Sequence, residues 1–341
     1  MSKPARLRVA VIGLGMASTP HARSLADLND RVEVAAVFSP SLQRREAFAA
    51  KWGFPVRDSM EAILADSSIS AVLLLTPPNT HLELVQQAAA AGKHILLEKP
   101  LDISFARSEQ LVKTAEDAGV KLAVVLQNRF RPTCERLSAL IAEGRLGTIV
   151  SASALTNNWR PQSYYDQPGR GTRARDGGGV LLTQAIHTLD LLVAFAGLPT
   201  EVKAYCTTSP VHRMETEDLA MAAIRFADGA IGNITATTCA YPGFPDAIDI
   251  IGTKGMARLE GGQLEARFHD GPDVSLNDGT AGNGAGADPM AFSHEHHRAL
   301  LADFLEAIAM SRAPRVSGRE ALKVHALIAM ILRSSQTEIR A

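Results

Sequence analysis

The 341-residue chain is long enough for two domains and a sizeable buried core. Hydrophobic residues make up 46% and charged residues 21%, and 35 basic against 36 acidic side chains leave a net charge of -1. That balance argues against nucleic acid or an anionic membrane as partner. Three scattered cysteines, Cys134, Cys206 and Cys239, lack CxxC spacing and indicate neither a disulfide framework nor a zinc site.

Lys3, Arg6 and Arg8 precede an apolar run of only four residues, 9–12, which leads directly into glycine. This is too short for a signal peptide, and no stretch approaches the ~18–20 apolar residues of a membrane span. The expectation is a cytoplasmic protein. Runs rich in Val, Ile and Leu at 9–12, 32–38, 71–75, 94–98 and 122–126 predict buried parallel strands. Between them, 43–51 and 82–91 have apolar residues three or four apart, and Gly92 supplies a helix stop. The alternation predicts a doubly wound α/β domain over residues 1–126.

The rhythm changes after Arg131-Pro132, and residues 127–341 are expected to form a second domain. A helix at 133–143 leads to a strand at 149–157, and one long helix is predicted from 179 to 196. Consecutive strand candidates follow at 202–206, 219–226, 230–238, 247–252 and 256–260, separated by Gly, Pro and Asp turns. They predict an α+β domain with an open, mainly antiparallel sheet. Residues 269–289 lack periodicity and read as a mobile surface loop, and helices at 292–311 and 318–334 close the chain.

Gly13-Leu14-Gly15-Met16-Ala17-Ser18 follows the first strand, the arrangement that seats a pyrophosphate on a helix N-terminus. Gly13 permits the tight turn, Gly15 lets the backbone approach phosphate, and Ser18 stands in place of the third glycine. At the second strand's end, Ser39, Ser41, Arg44 and Arg45 replace the carboxylate that would bind a free ribose 2′-OH. Hydroxyls and arginine favour NADP over NAD. The plainer reading of the same residues is a helix N-cap followed by solvent-facing arginines.

Glu98-Lys99-Pro100 ends the 94–98 strand, and Thr76-Pro77-Pro78-Asn79-Thr80-His81 follows the 71–75 strand. Later comes Asp176-Gly177-Gly178-Gly179, followed by Thr183, His187 and Asp190. In this order and spacing the motifs resemble the glucose–fructose oxidoreductase / inositol dehydrogenase / rhizopine catabolism (Gfo/Idh/MocA) family across nearly the whole chain. The resemblance implies a Rossmann domain followed by a substrate domain whose open sheet makes dimer or tetramer contacts. It further implies hydride transfer between a nicotinamide and a carbinol carbon of a sugar, sugar derivative or cyclitol. Thr76, Pro77, Asn79, His81, Glu98, Lys99 and Asn128 would line the cofactor. Lys99 would orient substrate and cofactor, and His187 would be the general base.

The residue types suit those roles. Carbinol oxidation needs a base that titrates near neutrality, and an ammonium group stabilises developing alkoxide charge. Thr183 departs from the family, where Asp or Asn is common; its spacing of four places it on the helix face of His187. Asp190 is a possible partner of His187. Substrate contacts are expected from Asn128 and Arg129 in Gln127-Asn128-Arg129-Phe130, and from Trp159, Arg160, Tyr164 and Tyr165. Arg170, Arg173 and Arg175 suit an acidic or phosphorylated substrate or a solvated loop. His294-Glu295-His296-His297 lacks the separated ligands of a structural metal site, so no metal is expected. An enzyme that retains NAD and oxidises its sugar only transiently is the alternative; a non-catalytic sensor is disfavoured because Lys99 and His187 are both present.

Overall fold

The computed structural model describes residues 6–279 and 293–336, and the chain divides into two compact units. The first runs to Gln127 and takes in Ser293–Leu322; the second starts at Asn128 and resumes at Lys323.

In the first unit, β1 (Leu7–Ile12), α1 (Ser18–Asp27), β2 (Val32–Phe38), α2 (Leu42–Trp52) and α3 (Met60–Ala65) are followed by β3 (Ala71–Leu74) and α4 (His81–Ala90). Then come β4 (His94–Leu97), α5 (Phe105–Asp117) and β5 (Leu122–Val124). The strands form a parallel sheet in the order β2-β1-β3-β4-β5. Val9 to Ile12, Ala71 to Leu74 and Ile95 to Leu97 are all buried, as continuous apolar strands covered on both faces must be. Connections leave β1 in opposite directions across the sheet, so the crevice at a reversal of strand order opens between the tips of β1 and β3.

The second unit opens with α6 (Pro132–Ala142), β6 (Ile149–Asn157), α7 (Gln162–Tyr165), α8 (Val180–Thr183) and α9 (Ile186–Ala196). Seven strands follow: β7 (Glu201–Thr207), β8 (Leu219–Arg225), β9 (Ile231–Thr237), β10 (Ala247–Gly252), β11 (Gly255–Glu260), β12 (Gln263–Phe268) and β13 (Val274–Asn277). They join β6 in one sheet, β13-β12-β11-β10-β6-β9-β8-β7, antiparallel except for the β6–β9 pair. One face carries Ala152, Ala154, Ile224, Ile234, Ile248, Ile250 and Leu264, all buried. On the other, Tyr205, Met221 and Ile231 stay exposed at 86%, 53% and 59%. The edge of β7 is closed by the last helix: Ser334 and Ser335 hydroxyls accept from Ala204 N and Cys206 N.

Three expectations change. The helix predicted over 179–196 is two helices, because Gln184 and Ala185 interrupt it. The segment read as a loop from 269 contains β13, while 280–289 lie outside the described residues. The helix α10 (Glu295–Ala309) packs with the first unit, on α1, although residues 127–341 were expected to form one domain. The helix α11 (Gly318–Gln336) begins in the first unit and ends in the second. Among the described residues no helix is long and apolar enough to cross a membrane.

Candidate functional site

At the tip of β1, Gly13 has φ 101°, and a side-chain carbon there would stand 2.7 Å from the Leu75 carbonyl. Only glycine lets β1 and β3 approach so closely. Gly15 is exposed, with nothing within 4 Å of a notional Cβ. That open space lies at the start of α1, where a pyrophosphate would meet backbone N–H groups, so the residues present fit a dinucleotide. Ser18 donates to the Gly15 carbonyl at 2.6 Å and pins the turn. Met16 is half exposed and Ala17 is the N-cap.

At the end of β2, Ser39 is buried, and the Ser41 hydroxyl caps α2 by accepting from Arg44 N at 3.3 Å. The Arg44 side chain is exposed. It is Arg45 that turns back, donating to the Ser39 carbonyl at 2.8 Å and lying over the Phe38 ring. The strand end itself carries no carboxylate in sequence, but Asp58, on the segment bridged to β2 at Val37 and Val56, lies 3.8 Å from Arg45.

Thr76 and Pro77 lead into a 3-10 turn, Pro78–Thr80, in which the Thr80 hydroxyl donates to the Pro77 carbonyl and lies 2.9 Å from the Thr76 hydroxyl. Asn79 is exposed, whereas His81 is fully buried. Its ring faces the Thr76 carbonyl at 2.9 Å and the Pro100 carbonyl at 3.0 Å, bracing the tip of β3 against the turn that holds Lys99. Burial lowers the pKa of His81, with these carbonyls opposing the shift. His81 is thus placed inside the fold and not where a cofactor could touch it. Glu98 is similarly inward: Oε1 meets His21 Nε2 at 2.8 Å, and Oε2 accepts from Lys99 N at 3.1 Å. His297 packs edge-on against His21, their centroids 5.3 Å apart. Lys99 is half-buried at the tip of β4.

In the second unit, Gly179 lies so near Glu217 that a Cβ would fall 1.8 Å from the Glu217 carbonyl oxygen. The Glu217 carboxylate accepts from Gly179 N and Leu181 N and so caps α8. Burial raises its pKa against those hydrogen bonds. Along Val180 to Asp190 only Thr183, Gln184 and His187 reach solvent. Thr183 Oγ1 lies 2.7 Å from the Gly179 carbonyl and 2.6 Å from Gln184 Oε1, and its single proton serves one of the two. Asp190 is buried and held bidentately by Arg129, Nε to Oδ2 at 2.8 Å and Nη2 to Oδ1 at 2.6 Å. Asn128 is half-buried in the 3-10 turn Gln127–Phe130. Thr188, the neighbour of His187, donates to Asp246 Oδ2 at 2.6 Å. Asp246 Oδ1 is sealed from solvent without a partner among the described residues, and burial pushes this carboxyl up to about 6.

Beyond β6, Trp159 packs edge-on against Tyr241 at 5.5 Å, and Arg160 is buried. Arg160 and Arg170 both lie over the Tyr164 ring, at 5.8 and 4.9 Å from its centroid. Tyr165 turns the other way: it is buried, its hydroxyl donates to Thr238 Oγ1 at 2.9 Å, and burial raises its pKa. It belongs to the core and cannot line an open pocket. Sequence reasoning missed Glu217, Asp246 and the set of buried His212 and Asp218 with half-buried Cys239, where Asp218 Oδ2 meets His212 Nδ1 at 2.9 Å and Cys239 Sγ at 3.2 Å. Glu217, Asp246 and Cys239 meet partners distant in the chain, and the nearer pair His212 and Asp218, six residues apart, follows no helix or strand period that would reveal it. This set and His21, Glu98 and His297 are the two groups among the described residues with metal-ligand atoms within 4.8 Å of one another.

Two family models match the chain: an oxidoreductase family with NAD-binding Rossmann fold over residues 7–126, and a GFO/IDH/MocA C-terminal domain over residues 134–258. The WlbA dehydrogenase of Bordetella pertussis, solved with NADH and UDP-GlcNAcA, is 30% identical with a TM-score of 0.86 over 97% of each chain. D-xylose 1-dehydrogenase (NADP(+)) 2 of Haloferax volcanii is 28% identical, covering 89% of this chain and 90% of its own. Myo-inositol 2-dehydrogenase of Thermotoga maritima is 28% identical over 73% of this chain and 74% of its own.

Proposed function

The chain belongs to the GFO/IDH/MocA oxidoreductases, and on that premise we propose that it transfers hydride between a nicotinamide and a carbinol or carbonyl carbon of a sugar, sugar derivative or cyclitol. One observation supports this most: in the stretch from Val180 to Ala196, His187 is the only ionisable side chain open to solvent. A helix otherwise committed to the core presents one imidazole, the group best suited to take a hydroxyl proton near neutral pH. Lys99, held at the tip of β4 through Glu98 and His81, orients the hydroxyl and stabilises alkoxide charge as it develops. When bound, the nicotinamide accepts or supplies the hydride. Thr183 and Asn128 add hydrogen bonds to substrate hydroxyls, and Trp159 an aromatic wall; Arg129 acts through its grip on Asp190.

We assign NADP as the favoured cofactor. The β2 tip carries Ser39, Ser41 and Arg44 and no carboxylate of its own, and the exposed Arg44 supplies positive charge, whereas Arg45 is shared with Asp58. The cytoplasm is the proposed place of action. The exposed sheet face with Tyr205, Met221 and Ile231 is the proposed contact of a homodimer or homotetramer.

Turnover should be followed at the reduced-nicotinamide absorbance band with a panel of sugars, sugar acids and inositols. A stoichiometric change with one of them is the expected result. Substrate conversion with no net change would instead identify the NAD-retaining, transiently oxidising alternative. Absence of cofactor binding to the folded chain would overturn both.

A further inference from the structure

The segment between α7 and α8 carries three arginines, and the structure separates their roles. Arg175 donates to the Pro168 carbonyl at 2.7 Å and lies 4.0 Å from Asp176. Arg173 is exposed. Arg170 is half-buried, makes no side-chain hydrogen bond or ion pair with the described residues, and has its Nε shut off from solvent. Its guanidinium instead lies 4.9 Å from the centroid of Tyr164, a ring that Arg160 also overlies.

Two guanidinium groups at one ring raise the local positive potential, and no carboxylate among the described residues pairs with Arg170 to offset it. The nearby acids are engaged elsewhere. Asp166 takes Gln162 Nε2 at 2.8 Å and lies 3.9 Å from Arg213; Asp176 accepts from Gly171 N at 2.9 Å, and Glu215 from Arg173 N at 3.1 Å.

This arrangement is tied to the end of the sheet from which α8 and α9 also depend. Arg160 N bonds to the Thr238 carbonyl, Thr238 N to the Asp218 carbonyl, and the preceding residue, Glu217, caps α8. Arg160 also acts electrostatically on Asp246, which Thr188 holds next to His187.

We propose that Arg170, with Arg160 and the Tyr164 ring, forms a subsite for an anionic substituent of the substrate, a carboxylate or a phosphate. The inference rests on the carbohydrate oxidoreductase reading and narrows it to acidic sugars. A planar guanidinium donates two parallel N–H bonds to either oxyanion, and the aromatic ring holds the fork in place.

The test uses the full chain with saturating nicotinamide cofactor and measures binding by calorimetry, independently of turnover. Glucose, glucuronate, glucose 6-phosphate and UDP-glucuronate are the probes. At least one anionic probe should bind more tightly than glucose. Arg170→Ala should weaken that probe about ten- to hundredfold, as expected for loss of a charge-assisted pair, and glucose by no more than a few-fold. Arg170→Lys, which keeps the charge but not the fork, should fall between. Loss confined to glucuronate and UDP-glucuronate assigns the carboxylate, and loss that follows the phosphate assigns the phosphate. Equal weakening of charged and neutral probes, or no preference for any anion in the parent protein, overturns the subsite. Anion binding without any turnover would keep the subsite and remove the hydride-transfer reading.

Discussion

The two sheets bury apolar surface in different ways, and the difference sets what each can carry. The five-stranded sheet is apolar on both faces, leaving function to its strand tips, where Gly13, Thr76 and Lys99 stand. The eight-stranded sheet buries one face and leaves the other exposed. Its functional candidates lie on helices and loops at one end, with polar groups such as Glu217 and Asp246 holding them. Gly13 in the first unit is positioned by backbone geometry and Lys99 by the buried Glu98 and His81 beneath it, whereas the candidates of the second unit sit on helices held by polar residues distant in sequence.

The largest effects should come from removing the proposed reactive groups. Lys99→Ala and His187→Ala are each expected to lower turnover by roughly two or more orders of magnitude, the scale of electrostatic and acid–base roles. Folding and cofactor affinity should change far less. Near-normal turnover of His187→Ala at neutral pH would remove the imidazole from the chemistry.

Next in size, Gly179→Ala tests the polar scaffold of the second unit. Its added carbon would collide with the Glu217 backbone and break the cap on α8. A destabilisation of at least about 1–3 kcal/mol is expected, read from the denaturant midpoint. An unchanged midpoint would mean that α8 moves away without loss.

The contrast also explains what could be read from sequence. Apolar runs give β2, β6 and β10 at the residues where they stand, because burial on one or both faces leaves a local hydrophobic signature. The edge strand β13 and its neighbour β12 are short strands whose outward positions are polar, Gln263, Glu265 and Arg267, then Ser275 and Asn277, and a few alternating residues resemble a loop. The break at Gln184 and Ala185 has no sequence signal because apolar periodicity runs through it, and the start of α8 is capped by Glu217, 36 to 38 residues on from the N–H groups it holds. Lys99 and His187 are proposed from their motifs, which local sequence carries. That His81 and Tyr165 face inward is not legible there, since their partners, Pro100 and Thr238, are contacts of the folded chain.

A smaller effect is expected at the β2 tip. A phosphate held by arginine gains about 1.5–3 kcal/mol, which corresponds to roughly a ten- to hundredfold preference for NADP. Ser39→Asp should reverse that preference by repelling the 2′-phosphate and accepting the ribose hydroxyl. Because Arg45 already leans on the Ser39 carbonyl, Arg44→Ala and Arg45→Ala distinguish which guanidinium contributes. Titration of both cofactors by tryptophan fluorescence decides it: equal affinities, unaffected by either substitution, would sink the assignment.

The smallest effect concerns the buried polar scaffold itself. Burial raises Asp246 from its ordinary 3.8 to about 6, opposed by hydrogen bonds from Thr188 and Thr156. The folded chain therefore binds this proton more tightly than the unfolded chain does. Its stabilising contribution is complete below about pH 4 and is lost as the pH rises through about 6. Asp246→Asn keeps an acceptor for Thr188 but cannot ionise. Its melting temperature relative to the parent should rise between pH 4 and pH 6 and then level off. Asp218 pulls the opposite way: burial raises its pKa, but hydrogen bonds from Ser209, Cys239 and His212 outweigh this and leave it lowered. Because Asp218 is present in both proteins, the difference between their melting curves isolates Asp246. A difference that stays constant from pH 4 to pH 8 would show that this carboxyl titrates alike in the folded and unfolded chain.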